Sequence, residues 1–284
     1  MTDTELARPG DQVPQIPLAQ QMMQMLSGFE ISQALYTMAK LGVATALVDG
    51  PRTVEDLAVI TQPDTDALRR IIRFLTTLGV FRTNNGTVEI TPLGATLADG
   101  PVDSVRGLAM YLMDTHDAPF ASLAHTARTG ETAALRHFGK PFLTWITDFP
   151  ELVEIQNGAM ANTTNGIRAG MFADYRLPAG DLVVDLGGAD GTVLSQLLAD
   201  VPERRGIVFD LPNIVSAAPT VLAAAGVTDR VGVLDGDFFD SVPRADVYVM
   251  SHILHDWADE PSLRILRNIA KATAPGARRP APGW

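Results

Sequence analysis

No cysteine occurs among the 284 residues, which excludes disulfides, thiolate metal sites and cysteine nucleophiles together. Long runs of lysine or arginine are also missing, and the formal net charge is −11. Binding to phosphate backbones needs a basic footprint, so nucleic acid is not expected as a partner. The opening stretch, MTDTELARPGDQVPQIP, is polar and contains proline. It has neither the apolar centre of a signal peptide nor the basic amphipathic character of a transit peptide. The most apolar long stretch, IVSAAPTVLAAAGV, contains Ser, Pro and Thr and is too short to span a bilayer. No membrane partner is expected, and the reading is cytoplasmic. Internal repeats and low-complexity tracts are absent as well. What is present is the composition of a folded protein, 46% hydrophobic and 19% charged. The length suits two domains.

From about Met22 to Leu97 the pattern is helical. GFEISQALYTMAKLGVATALVDG carries apolar residues at three- and four-residue spacing and stops at Gly50. TVEDLAVIT begins a second helix with Thr53 as its N-cap. TDALRRIIRFLTTLGV is a third, with Leu68, Ile71, Ile72 and Leu75 on one face. FRTNNGTVEIT then reads as a hairpin around Asn85-Gly86, a favoured tight-turn pair. Helices followed by a small hairpin outline a winged helix. Such a unit can bind DNA, and Arg69, Arg70 and Arg73 lie on its third helix. On so acidic a chain, a helical oligomerisation unit with solvated arginines is the better reading.

Gly100 and Pro101 mark a boundary, and further helical sequence runs to about Asp174. After Pro178 the texture changes to short apolar strands (DLVVDLG, GIVFDLP, RVGVLDGD, ADVYVMS) alternating with helices. That alternation predicts an α/β fold with a Rossmann-like, doubly wound, mainly parallel sheet. The expected division is a winged-helix-like unit over residues 1–100, a helical segment over 101–178 and the sheet over 179–284.

Chemistry gathers at the strand ends. VVDLGGADG sits where the first strand turns into a helix, and its glycines allow a ligand to approach the backbone. Gly187, Ala189 and Gly191 form a G-x-A-x-G frame that lacks the last glycine of the dinucleotide fingerprint. Asp185, two residues earlier, would repel a pyrophosphate and would suit an ammonium or sulfonium ligand. Asp210 ends the second strand, where a carboxylate can accept two ribose hydroxyls. Asp237 and Phe238 follow the third strand and could bond and cover an adenine. Each alone could be a turn, a cap or core. Four such features on successive strands point to a nucleoside site.

These stretches, with SHILHDWADE (251–260), resemble the class I S-adenosylmethionine-dependent O-methyltransferases. The resemblance is closest to the group that includes plant phenolic enzymes and bacterial polyketide and antibiotic tailoring enzymes. It covers nearly the whole chain, and it implies that the winged-helix-like front forms a homodimer. It further implies Asp185, Gly187 and Gly191 at the methionine end of S-adenosylmethionine, Asp210 at the ribose, and Asp237 and Phe238 at the adenine. Ser251 and Thr164 would lie close to the cofactor, and Met160 and Trp145 close to a small aromatic substrate. For those last two, packing is the alternative.

Within SHILHDWADE, the resemblance makes His255 the general base. A phenol with a pKa near ~10 is a poor nucleophile while protonated, and imidazole, with a reference pKa of ~6.5, can take its proton. His252 is read as structural, Trp257 as packing and Asp256 as a cap for the next helix. A metal site from His252, His255 and Asp256 is not expected, because adjacent positions at a turn rarely converge. After the helix at Leu263–Ala270 the family pattern calls for another strand, but the chain reads TAPGARRPAPGW. The expectation is a truncated sheet whose fourth strand becomes an edge. The leading function is methyl transfer to a hydroxyl of a small aromatic or polyketide-like metabolite. The alternatives are hydroxylation, decarboxylation or cyclisation on the same scaffold, or an inert dimerisation or ligand-binding homologue.

Overall fold

The computed structural model describes residues 16–101, 103–167, 171–172 and 175–273. The stretch from Ala274 onward and the boundary near Asp174 lie outside those residues.

The front unit begins with α1 (Leu18–Leu26) and α2 (Gly28–Leu41). The single helix expected to run to Gly50 is broken at Gly42, whose left-handed backbone (φ 71°) ends α2. A one-turn α3 (Val43–Ala46) follows. Short β1 (Arg52–Thr53) leads into α4 (Val54–Thr61), where the Thr53 hydroxyl accepts from the Asp56 N–H as an N-cap should. The Asp64 carboxylate caps α5 (Thr65–Thr77) in the same way. Leu68, Ile72 and Leu75 of α5 are buried against Met38, Leu47 and Leu57. Strands β2 (Phe81–Asn84) and β3 (Thr87–Ile90) form the hairpin, with Asn85 and Gly86 both at positive φ. β1 pairs with β3 to complete a three-stranded wing, which composition did not suggest. Arg69 is tied to Glu55 and Asp66, while Arg70 and Arg73 are exposed.

After α6 (Pro92–Ala95), α7 (Arg106–Thr115) crosses α2 and is held there by Lys40 and Tyr36 bonding Asp114. Four short helices follow: α8 (Asp117–Phe120), α9 (Leu123–Thr129), α10 (Ala133–Phe138) and α11 (Phe142–Ile146). The longer α12 (Pro150–Asn162) packs on α7 and α11, with Tyr111, Ile146, Val153 and Ala159 buried together. It runs straight into a π-helical turn, Thr163–Ile167.

The sheet contains β4 (Leu182–Leu186), β5 (Arg205–Asp210), β6 (Val231–Asp235) and β7 (Val247–Val249). All pairings are parallel and the order is β6-β5-β4-β7. Its helices are α13 (Thr192–Leu198), α14 (Pro212–Val215), α15 (Ala218–Ala224) and α16 (Asp259–Thr273). The apolar stretch after β5 forms two helices, and Pro219, with no N–H to donate, sits in the first turn of the second. Val183 and Val208 pack with Leu194, Leu198 and Leu222 on one face, and Leu182, Val184, Ile207 and Phe209 with Ile269 on the other. Both faces are therefore covered, which is why β4 is buried throughout and reads as a nearly continuous apolar run. The chain adds β5 and β6 on one side of β4 and β7 on the other. Ligands bind outside the carboxyl ends of strands at such a reversal. Among the described residues β7 pairs only with β4, and no helix is long and apolar enough to cross a membrane.

Candidate functional site

A cavity of about 740 Å³ opens at that reversal. Its floor is made by the turns after β4, β5, β6 and β7, and its walls by α7, α12 and the π-helical turn.

The turn after β4 is shaped by its glycines. Gly187 has φ 72°, and its N–H donates to the Phe209 carbonyl. A Cβ at Gly187 would stand 2.1 Å from Ile253 Cδ1, so the missing side chain lets the loop after β7 close over the turn. Ala189 also lies at positive φ, and its N–H donates to Asp210 Oδ2 at 3.0 Å. Gly191, expected on the ligand, is not on the cavity wall. A Cβ there would meet Val208 and Leu222 at 3.0 and 3.1 Å, so this glycine lets α13 lie close to the sheet.

Asp185 stands apart from the rest of its strand. It lies at the end of an otherwise apolar strand, it is 1% exposed, and neither carboxylate oxygen has a hydrogen-bond partner among the described residues. Burial, reinforced by the charges of Asp210 and Asp190, pushes its pKa up to about 7. Asp210 is also raised by burial, but N–H bonds from Leu211 (2.7 Å) and Ala189 (3.0 Å) oppose the shift. Asp237 accepts from the Phe239 N–H and is exposed. Half-buried Phe238 meets the edges of Phe239 and Trp257. Met160, buried Thr164 and Ser251 complete that part of the lining.

Trp145 does not line the cavity. Its ring stacks on Phe138 at 3.7 Å between centroids, and its neighbours Thr144 and Thr147 face the cavity instead. Packing won over pocket at this position.

The loop after β7 carries the histidines. His252 has φ 59°, a conformation that non-glycine residues rarely adopt. Its ring stands 5.0 Å from that of His255, and both line the cavity. His255 lies in a one-turn 3-10 helix, Leu254–Asp256, with Nε2 3.3 Å from Asp256 Oδ1. Asp256 is not the cap it was expected to be, because α16 starts only at Asp259. It faces the cavity, where burial raises its pKa against the pull of His255, His252 and His116. Sequence reasoning missed the lining residues Tyr111, His116 and Asn157, which carry no motif and reach the cavity only because α7 and α12 pack together. Among the described residues no three His, Asp or Glu side chains are grouped to hold a metal ion.

The site fits S-adenosylmethionine. A buried carboxylate without a partner demands a cation, and this cofactor carries both a sulfonium and an ammonium group. Asp210 and Asp237 line the same cavity, and a carboxylate can accept more hydrogen bonds than the backbone N–H groups here supply.

An O-methyltransferase domain model matches residues 120–278, and an O-methyltransferase dimerisation domain model matches residues 23–100. The chain is 39% identical to phenazine O-methyltransferase PhzM of Lysobacter antibioticus over 90% of its own length and 76% of that protein's. The structure of LaPhzM superposes with a TM-score of 0.85 at 39% identity, covering 90% of this chain and 78% of that one. The O-methyltransferase NcsB1 from neocarzinostatin biosynthesis, solved with S-adenosylmethionine and 2-hydroxy-5-methyl naphthoic acid, gives a TM-score of 0.79 at 31% identity. That match covers 93% of this chain and 81% of NcsB1. With the glycine turn, the four strand-end loops and the buried Asp185 in one cavity, the chain belongs to the O-methyltransferase family and is an S-adenosylmethionine-dependent O-methyltransferase.

Proposed function

We propose that the acceptor is a hydroxyl on a small aromatic or polyketide-like metabolite and that His255 is the general base. The observation that carries this is a single cavity lined both by the unpartnered Asp185 carboxylate and by the His255 imidazole. The relatives' names point the same way, to a phenazine and to a naphthoic acid.

When bound, S-adenosylmethionine supplies an electrophilic methyl on a positively charged sulfur. Asp185 answers the cofactor's positive charge, Asp210 accepts from the ribose hydroxyls, and Asp237 and Phe238 bond and cover the adenine. Gly187 lets the loop after β7 close beside the ligand, and Ser251 and Thr164 border it. Met160 is an apolar contact for the acceptor ring. His255 takes the hydroxyl proton as the oxygen becomes nucleophilic, and Asp256 stabilises the imidazolium that results. Tyr111, Met160 and Trp257 limit water around the acceptor. The remaining acceleration is positional.

The front unit is read as the contact of a homodimer, supported by the matching dimerisation model and by apolar side chains exposed along α1. The division near residues 100 and 178 rests on the packing of α7 and α12 as a wall over the sheet. A cytoplasmic protein without a nucleic-acid partner is the reading that the cysteine-free, acidic composition supports.

The test is transfer of labelled methyl to a naphthol by purified protein. In His255→Ala, kcat is expected to fall by about 10²–10⁴ with cofactor affinity unchanged, whereas Asp210→Ala abolishes binding in a calorimetric titration. Undiminished turnover in His255→Ala would remove the histidine from its role.

A further inference from the structure

A third imidazole reaches the cavity from the side of α7, away from the loop that carries His252 and His255. His116 stands at the junction of α7 and α8 and lines the cavity. Its ring is fixed between Tyr111, edge-on at 5.1 Å, and Phe142 at 4.9 Å. The hydroxyl of buried Thr115 decides its tautomer. Thr115 Oγ1 donates to the Tyr111 carbonyl at 2.5 Å and lies 2.6 Å from His116 Nδ1. A hydroxyl has one proton, and here it is donated to the carbonyl. Oγ1 therefore accepts from His116 Nδ1–H, and in the neutral ring Nε2 carries the lone pair. Burial keeps the ring neutral by lowering its pKa, although the Asp256 charge works against that shift. Nε2 has no hydrogen-bond partner among the described residues.

An oriented, neutral acceptor in an aromatic-lined wall is not needed to balance charge, and it is not at the loop that carries the proposed base. Asp256 is the link between the two, since its carboxylate acts electrostatically on His116, Tyr111, His255 and His252 alike. We propose that His116 is a specificity residue, whose Nε2 accepts a hydrogen bond from a second hydroxyl or amino group on the aromatic acceptor, distinct from the oxygen that is methylated. The assignment rests on the reading of His255 as the base. It narrows the substrate class to aromatics bearing two donors, with the non-reacting donor held at α7 and the reacting one at the loop after β7.

The test uses the full chain saturated with S-adenosylhomocysteine and three probes: an unsubstituted naphthol, a dihydroxynaphthalene with its hydroxyls on separate rings, and the monomethyl ether of that diol. By calorimetry the diol is expected to bind about ten-fold more tightly than its ether or the naphthol. His116→Phe, which keeps the ring but lacks the acceptor, should erase that preference, while His116→Gln should retain part of it. Equal affinity for the three probes, binding of none included, would overturn the proposal, as would a preference that survives in His116→Phe. Methyl transfer is then measured on the same variants. If His116→Phe loses turnover on all three probes while keeping the diol preference, His116 serves the reacting oxygen and the proposal fails. A preference that follows His116 while His255→Ala retains full turnover instead overturns the base assignment and leaves the donor contact standing.

Discussion

At the scale of the residue, the clearest consequence comes from Asp185. A carboxylate whose pKa is raised in the folded chain from 3.8 to about 7 binds its proton more tightly there than in the unfolded chain. Its contribution to stability therefore declines as pH rises from about 4 to about 7 and is flat above that. Without ligand, the protein should melt at a higher temperature at pH 5.5 than at pH 8, as far as this group decides the matter. A cationic ligand reverses the balance by favouring the ionised form. Titration with S-adenosylmethionine near pH 6 should then release a proton, seen as a dependence of the heat on the buffer's ionisation enthalpy. Asp185→Asn is expected to raise the melting temperature of the ligand-free protein at pH 8 and to lower cofactor affinity at least about ten-fold. A fall in melting temperature with affinity intact would show that the carboxylate is an ordinary core group. Sequence alone placed this aspartate at the strand end. That both of its oxygens lack partners depends on what Asp210 and Asp190 do with theirs, which no local pattern encodes.

At the scale of the element, the loop after β4 separates two glycines that look alike in the sequence. Gly187 makes room for Ile253 and so for the loop that carries His255, whereas Gly191 makes room for Val208 and Leu222 in the core. Both have positive φ, so alanine at either position costs about 1–2 kcal/mol in backbone strain. Beyond that shared cost, Gly187→Ala should weaken cofactor binding and slow turnover, and Gly191→Ala should lower the melting temperature further with affinity nearly unchanged. Calorimetry and thermal scans on the pair would separate the roles; matching losses in both variants would refute the division. Elements themselves were readable where local chemistry sets them: the Thr53 cap, the Asn85-Gly86 hairpin and all four parallel strands. Breaks inside apolar helical runs, at Gly42 and at Pro219, were hidden because periodicity continues across them. Trp145 misled for a related reason, since a ring on a short helix can turn toward either a pocket or its neighbours, and Phe138 took it.

At the scale of the whole molecule, α1 has no buried residue, and Met25 and Leu26 are 76% and 70% exposed. Phe29 adds to the patch at 65%. Exposed apolar side chains gathered on one short segment are the kind of surface that two chains can bury against each other. Sedimentation should find a dimer for the intact chain and a monomer when Met22, Met25 and Leu26 are all replaced by glutamate, with the helical circular dichroism of the remainder preserved. A dimer that persists would move the interface elsewhere. The cavity has an order of construction as well. One wall comes from α7, the floor from strands far along the chain, and the last pieces from Ser251 to Trp257. Contacts so distant in sequence close late in folding. A chain emerging from the ribosome therefore exposes the apolar side chains of α1 long before it has anywhere to hold a methyl donor. Whatever α1 meets, it is on display before the loop after β7 can close the cavity.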